Sequence, residues 1–359
     1  MQQTIDRDTM KDPRPFSPVF SYTHTMVKRL SDIAVAREVI LHAHLIPKWE
    51  VSIRREQLVR AAHASTAIEG NPLSLEEVSR LAEGRDVMVA RRAKAEVLNY
   101  LRVLEHIDLY GKDGRISPEG LLSLHRDVTR DTLDDPSVEG AFRKVQVVVG
   151  NRITKEVVYS PPKAKEVIPQ MNALIDWLNS DAARQMHPVL VAGIAHYELV
   201  RIHPFVDGNG RTARALATLI LAIRKFDIKR FFTLDDYYDS DRPAYYRVLK
   251  EVNLTWPDCT VWLEYFTEGV EISLTRVKER VLRLSSDEHR AVAGGQVALT
   301  GRQMKIIEYI HAHGSVKSGD LMRLYGISRQ AAGKELMQMV ENNVIRVDGK
   351  GRATRYVMA

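Results

Sequence analysis

The residues whose types and spacing could do chemistry gather in one stretch, His203-Pro204-Phe205-Val206-Asp207-Gly208-Asn209-Gly210-Arg211-Thr212-Ala213-Arg214. His203 offers an imidazole, whose ordinary pKa near 6.5 suits a base at neutral pH. Asp207 offers a hard oxygen ligand for a cation such as Mg²⁺. Arg211 and Arg214 are three apart, so on a helix they share a face and put two positive charges on one site. Gly210 lets a bound group approach the backbone closely. Base, metal ligand, phosphate cradle and two guanidinium groups within twelve residues point to phosphoryl or nucleotidyl transfer. Each part alone has a plainer reading: a capped histidine, an Asp-Gly-Asn-Gly turn, a solvated basic face. The combination, with glycines where a phosphate needs bare backbone, favours the chemistry.

Two apolar helical runs must position this stretch, Pro188 to Ile202 before it and Ala213 to Ile223 after it. Pro204 and Gly208-Asn209-Gly210 break the helical pattern, so a tight turn joins the two. The N–H groups in the first turn of the second helix then face the turn as an anion site.

The stretch resembles the HPFx(D/E)GNGRxxR signature of Fic-domain proteins, most of which transfer AMP from ATP to a hydroxyl on a protein. The resemblance runs from about Ser65 to Phe266. It implies a mainly α fold: a Fic-type helical core with a β-hairpin flap. It implies that His203 takes the proton of a Ser, Thr or Tyr hydroxyl on a target protein, or on the chain itself. Asp207 would hold Mg²⁺. The backbone at Gly208, Asn209 and Gly210, with Arg211 and Arg214, would bind the phosphates of ATP. Doc-like kinases are a weaker match, because those relatives alter the glycine that stands intact here as Gly210.

Three further stretches bear on the same site. Arg54 to Glu69 reads as a helix closed by Gly70-Asn71-Pro72, and Ser65 and Glu69 share one face of it. The helix dipole disfavours a carboxylate at that end, so Glu69 calls for a cation. Ser65-Thr66-Ala67-Ile68-Glu69-Gly70 resembles the (S/T)xxxE(G/N) inhibitory helix of some Fic proteins, which implies that Glu69 pairs with Arg214 and restrains the enzyme. Orientation of a water by Glu69, so that AMP is also removed, stays open. Val145, Gln146, Val147 and Val148, running to Gly150, form a β-branched strand that pairs with Glu156 to Tyr159 through Asn151-Arg152. In the Fic family that hairpin is a flap that holds the target by strand addition. Tyr246 and Asn253 are seven apart on one helix face, an aromatic plate and an amide, and the YYxxLxxxN spacing resembles the nucleotide-site helix of the family.

Composition bounds the rest. The chain has 359 residues, 45% hydrophobic and 27% charged, with a net charge of +6, as expected of a soluble globular protein of two or three domains. Met1 to Pro15 is polar, with no apolar leader, and no run is long enough to span a bilayer, so no membrane is expected as a partner. A single cysteine, Cys259, reads as a packed small residue and fits a reducing cytoplasm. His125 reads as a satisfied core or surface residue. His196 and His203 are seven apart and lack a zinc-ligand spacing, which argues against zinc.

The expected organisation is an N-terminal helical region over 1–87, a catalytic core over 88–284, a linker over 285–299 and a small domain over 300–359. Thr300, Ser318 and Ser328 are candidate caps for three helices, and Val344 to Val347 and Thr354 to Met358 for a wing, which resembles a winged helix-turn-helix domain. That segment holds ten Lys+Arg against five Asp+Glu, most of the net charge. Arg329, Gln330 and Lys334 start the third helix, and Lys350, Arg352 and Arg355 lie on or near the wing, so DNA is a candidate partner there. Winged helices also dock proteins, and a DNA-binding regulator whose core only senses nucleotide is the competing function. A homodimer is left open.

Overall fold

A computed structural model describes residues 15–43, 45–150, 157–226, 228–291, 300–342, 344–349, 351 and 354–359, with backbone alone for 286–291. Met1 to Arg14, most of the expected linker, the hairpin tip at Asn151, Arg152 and Glu156, and wing residues Lys350 and Arg352 lie outside the described residues.

Helices dominate. They are α1 (His24–His42), α2 (Pro47–Ile68), α3 (Leu75–Ala82), α4 (Arg91–Glu105), α5 (Pro118–Thr129), α6 (Ala164–Leu178), α7 (Asp181–Gln185), α8 (Pro188–Ile202), α9 (Asn209–Ile223), α10 (Asp235–Ser240), α11 (Arg242–Thr255) and α12 (Thr260–Ala291). Two minimal hairpins interrupt them: β1 (Gly111–Lys112) with β2 (Arg115–Ile116), and β3 (Val149–Gly150) with β4 (Val157–Tyr159), both antiparallel.

Helix α8 is the axis of the fold. Its sequence has no continuous polar stripe, so it is covered on all sides, and Val189 through Leu199 are all buried. It packs against α9, α6 and α12. Gly193 sets the closeness of α8 to α12: a Cβ there would lie 2.9 Å from Leu263 and 3.0 Å from Phe266. The indole of Trp262 donates to the Gly193 carbonyl at 2.7 Å, so the buried N–H is satisfied in that contact. Helix α1 lies along α12, and α2 spans α4, α3 and α10.

Several boundaries differ from the expected ones. Helix α2 begins at Pro47, a residue that fits the first helical turn, where its missing N–H costs nothing. Helix α9 begins at Asn209, ahead of the apolar run from Ala213, because Gly208 in a left-handed conformation (φ 77°) already turns the chain into it. Helix α12 continues to Ala291, so the helical rod extends into the expected linker. The strand expected from Val145 is confined to Val149–Gly150. Val145 and Val148 are exposed (57% and 58%), with no strand beside them among the described residues. Gln146 donates its amide to the Pro161 carbonyl at 3.0 Å instead of joining a ladder.

The C-terminal unit holds α13 (Gly301–His313), α14 (Ser318–Tyr325), α15 (Arg329–Glu341) and an antiparallel hairpin of β5 (Ile345–Asp348) and β6 (Arg355–Met358). Thr300 caps α13 in a capping box with Gln303, and Ser328 caps α15. Ser318 is the first residue of α14 and not its cap; the cap position is Lys317. Ile306, Ile307, Ile310, Leu321, Leu336, Met339 and Ile345 form its core, and Val51 of α2 is buried in the same cluster. Arg54 pairs with Glu308 at 3.1 Å, and Arg55 donates to the His311 carbonyl at 2.9 Å. The unit is thus docked on α2.

Candidate active site

Helix α8 ends at His203, whose left-handed backbone (φ 50°, ψ 59°) lifts the chain out of the helix. The turn that follows is held from within. Asn209 accepts from the Phe205 N–H and donates to the Phe205 carbonyl, both at 2.9 Å. Its side chain therefore staples the turn and does not face a ligand. His125 of α5 stacks on Phe205 with centroids 3.6 Å apart and reaches the Asp207 carbonyl at 3.0 Å. The Gly140 N–H donates to His125 Nδ1 at 2.9 Å, which leaves Nε2 as the protonated nitrogen that donates to Asp207. Burial pushes the His125 pKa down to about 4, so it is a neutral strut.

Arg143 fixes the other side. It is buried, donates to the carbonyls of His203 (2.7 Å), Val145 (3.0 Å) and Pro162 (2.6 Å), and its own N–H donates to Pro204 at 2.8 Å. One guanidinium thus ties the catalytic turn to both roots of the β3–β4 hairpin.

Within this frame His203 places Nδ1 3.2 Å from the Val200 carbonyl, which keeps the proton on Nδ1 and Nε2 as the acceptor. Burial lowers its pKa from the ordinary value, so it is a neutral base at pH 7. Asp207 accepts the Gly208 N–H at 2.6 Å, and its carboxylate lies 3.8 Å from Arg92 and 3.9 Å from Arg211. The Gly208 N–H, expected from the sequence as a phosphate donor, is thus taken within the turn in this structure. The first-turn N–H groups of Asn209, Gly210 and Arg211 remain, since the first intrahelical bond is Thr212 N–H to the Gly208 carbonyl.

The two arginines differ. Arg211 is 3% exposed, and its Nε and Nη1 have no hydrogen-bond partner; Glu96 is 3.8 Å away. Arg214 is well partnered. Its Nε donates to Ser65 Oγ at 2.8 Å and lies 3.3 Å from Asp235 Oδ1. Its Nη2 donates to the Ser65 carbonyl (2.9 Å) and to Glu69 Oε1 (2.8 Å). Burial lowers the Arg214 pKa, but the carboxylate of Glu69 and the other acidic neighbours more than offset it, and the net shift is well upward. Glu69 is the C-cap of α2, and Gly70 follows with φ 93°. The Glu69 carboxylate also lies against Gly210, where a Cβ would collide with Oε1. It occupies the space in front of the α9 N-terminus.

Tyr246 and Asn253 stand on α11, as expected. The Tyr246 hydroxyl donates to the Ile68 carbonyl at 3.3 Å and its ring is half-exposed; Asn253 accepts from Tyr197 at 2.9 Å. His196 is buried against Trp262 with centroids 4.9 Å apart. Cys259 is buried, with its thiol pushed up to about 12 by burial, as a packed residue should be. The sequence reading missed Arg143 and Asp235. Neither sits in a motif, and no spacing singles either out: Lys144 follows Arg143, and Asp236 follows Asp235.

Residues 115–221 match the Fic/DOC family, and residues 305–359 match the C-terminal domain of DIP2311-like transcriptional regulators. The chain carries a Fic/DOC-family domain. It is 31% identical over 261 residues to the protein adenylyltransferase fic-1 of Caenorhabditis briggsae, covering 71% of this chain and 48% of that protein. To fic-1 of Caenorhabditis elegans it is 32% identical over 263 residues, covering 72% of this chain and 48% of that protein. The chain spans about half the length of these curated relatives. A Fic family protein from Desulfovibrio desulfuricans superposes with a TM-score of 0.64 at 26% identity, over 96% of this chain and 98% of that one. A fragment of C. elegans Fic-1 superposes with a TM-score of 0.58 at 29% identity, over 72% of this chain and 73% of that fragment. Among the described residues no helix is long and apolar enough to cross a membrane.

Proposed function

We propose that the protein is an adenylyltransferase that moves AMP from ATP to a Ser, Thr or Tyr hydroxyl of a target protein or of itself. The observation that carries this reading is Arg211, a buried guanidinium with two unpartnered nitrogens beside the bare N-terminus of α9. Such an orphan group costs stability in the free protein unless a ligand satisfies it. A polyphosphate fits, because planar guanidinium and helix N–H groups both suit it.

The hydroxyl attacks the α-phosphorus in line, the bond to the bridging oxygen breaks, and pyrophosphate leaves. His203 Nε2, the unprotonated nitrogen, takes the hydroxyl proton. Arg143 holds the carbonyl of that histidine, and so its aim. Arg211 and the first-turn N–H groups bear charge on the phosphates, and Tyr246 and Asn253 face the nucleoside from α11. The exposed edge at Val145 to Val148 offers backbone to an extended target segment.

Mg²⁺ fits Asp207 as a single carboxylate ligand, because that ion usually takes one or two carboxylates plus substrate phosphates. No group of three or more acidic, His or Cys residues that could hold a metal occurs among the described residues, so the chain alone would hold the ion weakly. When bound, Mg²⁺ neutralises phosphate charge.

In this reading Glu69 restrains the enzyme, since its carboxylate takes Arg214 and fills the space before Gly210. Glu69→Gly is expected to raise transfer by roughly 10- to 100-fold, the weight of one charge-assisted hydrogen bond of about 1.5–3 kcal/mol. Intact-mass analysis of that variant with ATP and Mg²⁺ tests both halves. An added AMP mass on the protein or on a lysate partner supports transfer, and none at all sinks it. A rate no faster than the parent sinks the restraint alone. Water oriented by Glu69 to remove AMP is a finer variant of the same site.

A second reading, a DNA-binding regulator, is favoured by the match of the C-terminal unit and by Arg329, Gln330 and Lys334, which are exposed at the start of α15. A gel shift set beside the transfer assay separates the two.

A further inference from the structure

Arg214 is held by two carboxylates of different character. Glu69 comes from a helix end and its side chain is 31% exposed. Asp235 opens α10, outside the signature stretch, and its side chain is 4% exposed. Its Oδ1 accepts from the Tyr100 hydroxyl at 3.1 Å and its Oδ2 from Thr233 Oγ1 at 2.9 Å. One carboxylate is free to leave; the other is bolted in place.

We propose that Asp235 is a positioning residue, the fixed counter-charge that keeps Arg214 aimed at the nucleotide once Glu69 has moved away. The inference rests on the reading of the site as a nucleotide site restrained by Glu69. When Glu69 leaves, Arg214 keeps Ser65 Oγ and Asp235 on its Nε edge and the Ser65 carbonyl on Nη2. Nη1 is 3.2 Å from where a Gly210 Cβ would stand. The guanidinium therefore turns its Nη1 to the front of α9. Ser65 is neutral, so without Asp235 the buried cation would have no counter-charge in the open state. Such a group either draws in water or turns towards another acid. Asp235 prevents both. The same residue weakens the hold of Glu69, because a cation already paired gains less from a second carboxylate.

The test compares Asp235→Asn with its parent in the Glu69→Gly background of the full chain, by calorimetric titration with ATP and separately with AMP. Arg214 lies beyond the first turn of α9, so the outer phosphates feel its loss of aim and AMP does not. ATP affinity is expected to fall by at least about tenfold, while AMP affinity stays within about twofold. Tyr100→Phe and Thr233→Val, which keep both charges and remove one bond each, are expected to move ATP affinity the same way by about two- to threefold, and they carry the test if Asp235→Asn fails to fold. Equal losses for ATP and AMP would mean a general structural role, and unchanged ATP affinity would mean no role; either overturns the proposal. The readout needs no transfer, so absence of AMP transfer by Glu69→Gly would remove the functional reading without touching this result.

Discussion

Arg211 and Arg214 stand one turn apart on the same helix, are equally buried, and are in opposite states. Arg214 has acceptors on Nε and Nη2 and two carboxylates within 3.3 Å. Arg211 has two nitrogens without a partner and its nearest carboxylates at 3.8 and 3.9 Å. Identical residues in one helical turn thus report two halves of a site. The half beside Asp207 is waiting, with donors unmet, and the half beside Ser65 and Glu69 has its donors met by the protein itself. Burial alone says nothing about function; the satisfaction of buried donors does.

The largest effect should come from the waiting half. His203→Ala is expected to cut transfer by roughly 10²–10⁴-fold while ATP binding stays within about twofold, because the ring supplies the base and not the cradle. Joint loss of binding and transfer in a titration and a rate assay would place His203 among the cradle residues and blur the comparison. The two arginines can then be set directly against each other by urea unfolding of the unliganded protein. Arg214→Met is expected to cost about 3–5 kcal/mol, since it strands Asp235 as an uncompensated buried charge. Arg211→Met is expected to cost under about 1 kcal/mol, because it removes orphan donors and breaks no hydrogen bond that they make. Equal costs would erase the distinction.

The smallest effect concerns the strut under the waiting half. His125 is neutral in the folded protein with a pKa near 4, while the unfolded chain takes up that proton near 6.5. Protons therefore favour the unfolded state in this window. Stability is full above about pH 6.5 and falls as pH drops towards 4, by on the order of 3 kcal/mol. His125→Gln, which keeps one donor and one acceptor, should flatten that part of the unfolding-versus-pH curve. An unchanged slope would assign it to other groups, such as the buried His196, whose pKa is also well below the ordinary value through burial.

The turn was legible in the sequence because its chemistry and geometry are local. Proline, two glycines and the asparagine that staples the turn lie within a few residues of the groups they aim. Glu69 and its distant partner were legible only through a resemblance, because nothing in the spacing of residues 69 and 214 says that they meet. Arg143 and Asp235 were not legible. Their role is to satisfy carbonyls and a guanidinium brought to them by tertiary packing, and a lone buried charge carries no period. The strand expected at Val145 to Val148 differs for a related reason. β-Branched residues favour extended backbone, but pairing needs a neighbour, and among the described residues of this stretch only Val149 and Gly150 have one.

Helix α2 was described as the seat of Glu69 and as the dock for the C-terminal unit, and those are opposite ends of one rod. Its 22 residues rise about 33 Å. Near the start Val51 is sunk in the C-terminal core, with Arg54 and Arg55 clasped beside it; at the finish sits the carboxylate on Arg214. A shortened chain that ends before residue 300 would bare an apolar side chain and unclasp two arginines on the same rod that carries the Glu69 carboxylate. Trimming the tail thus reaches, through one helix, the partner of Arg214.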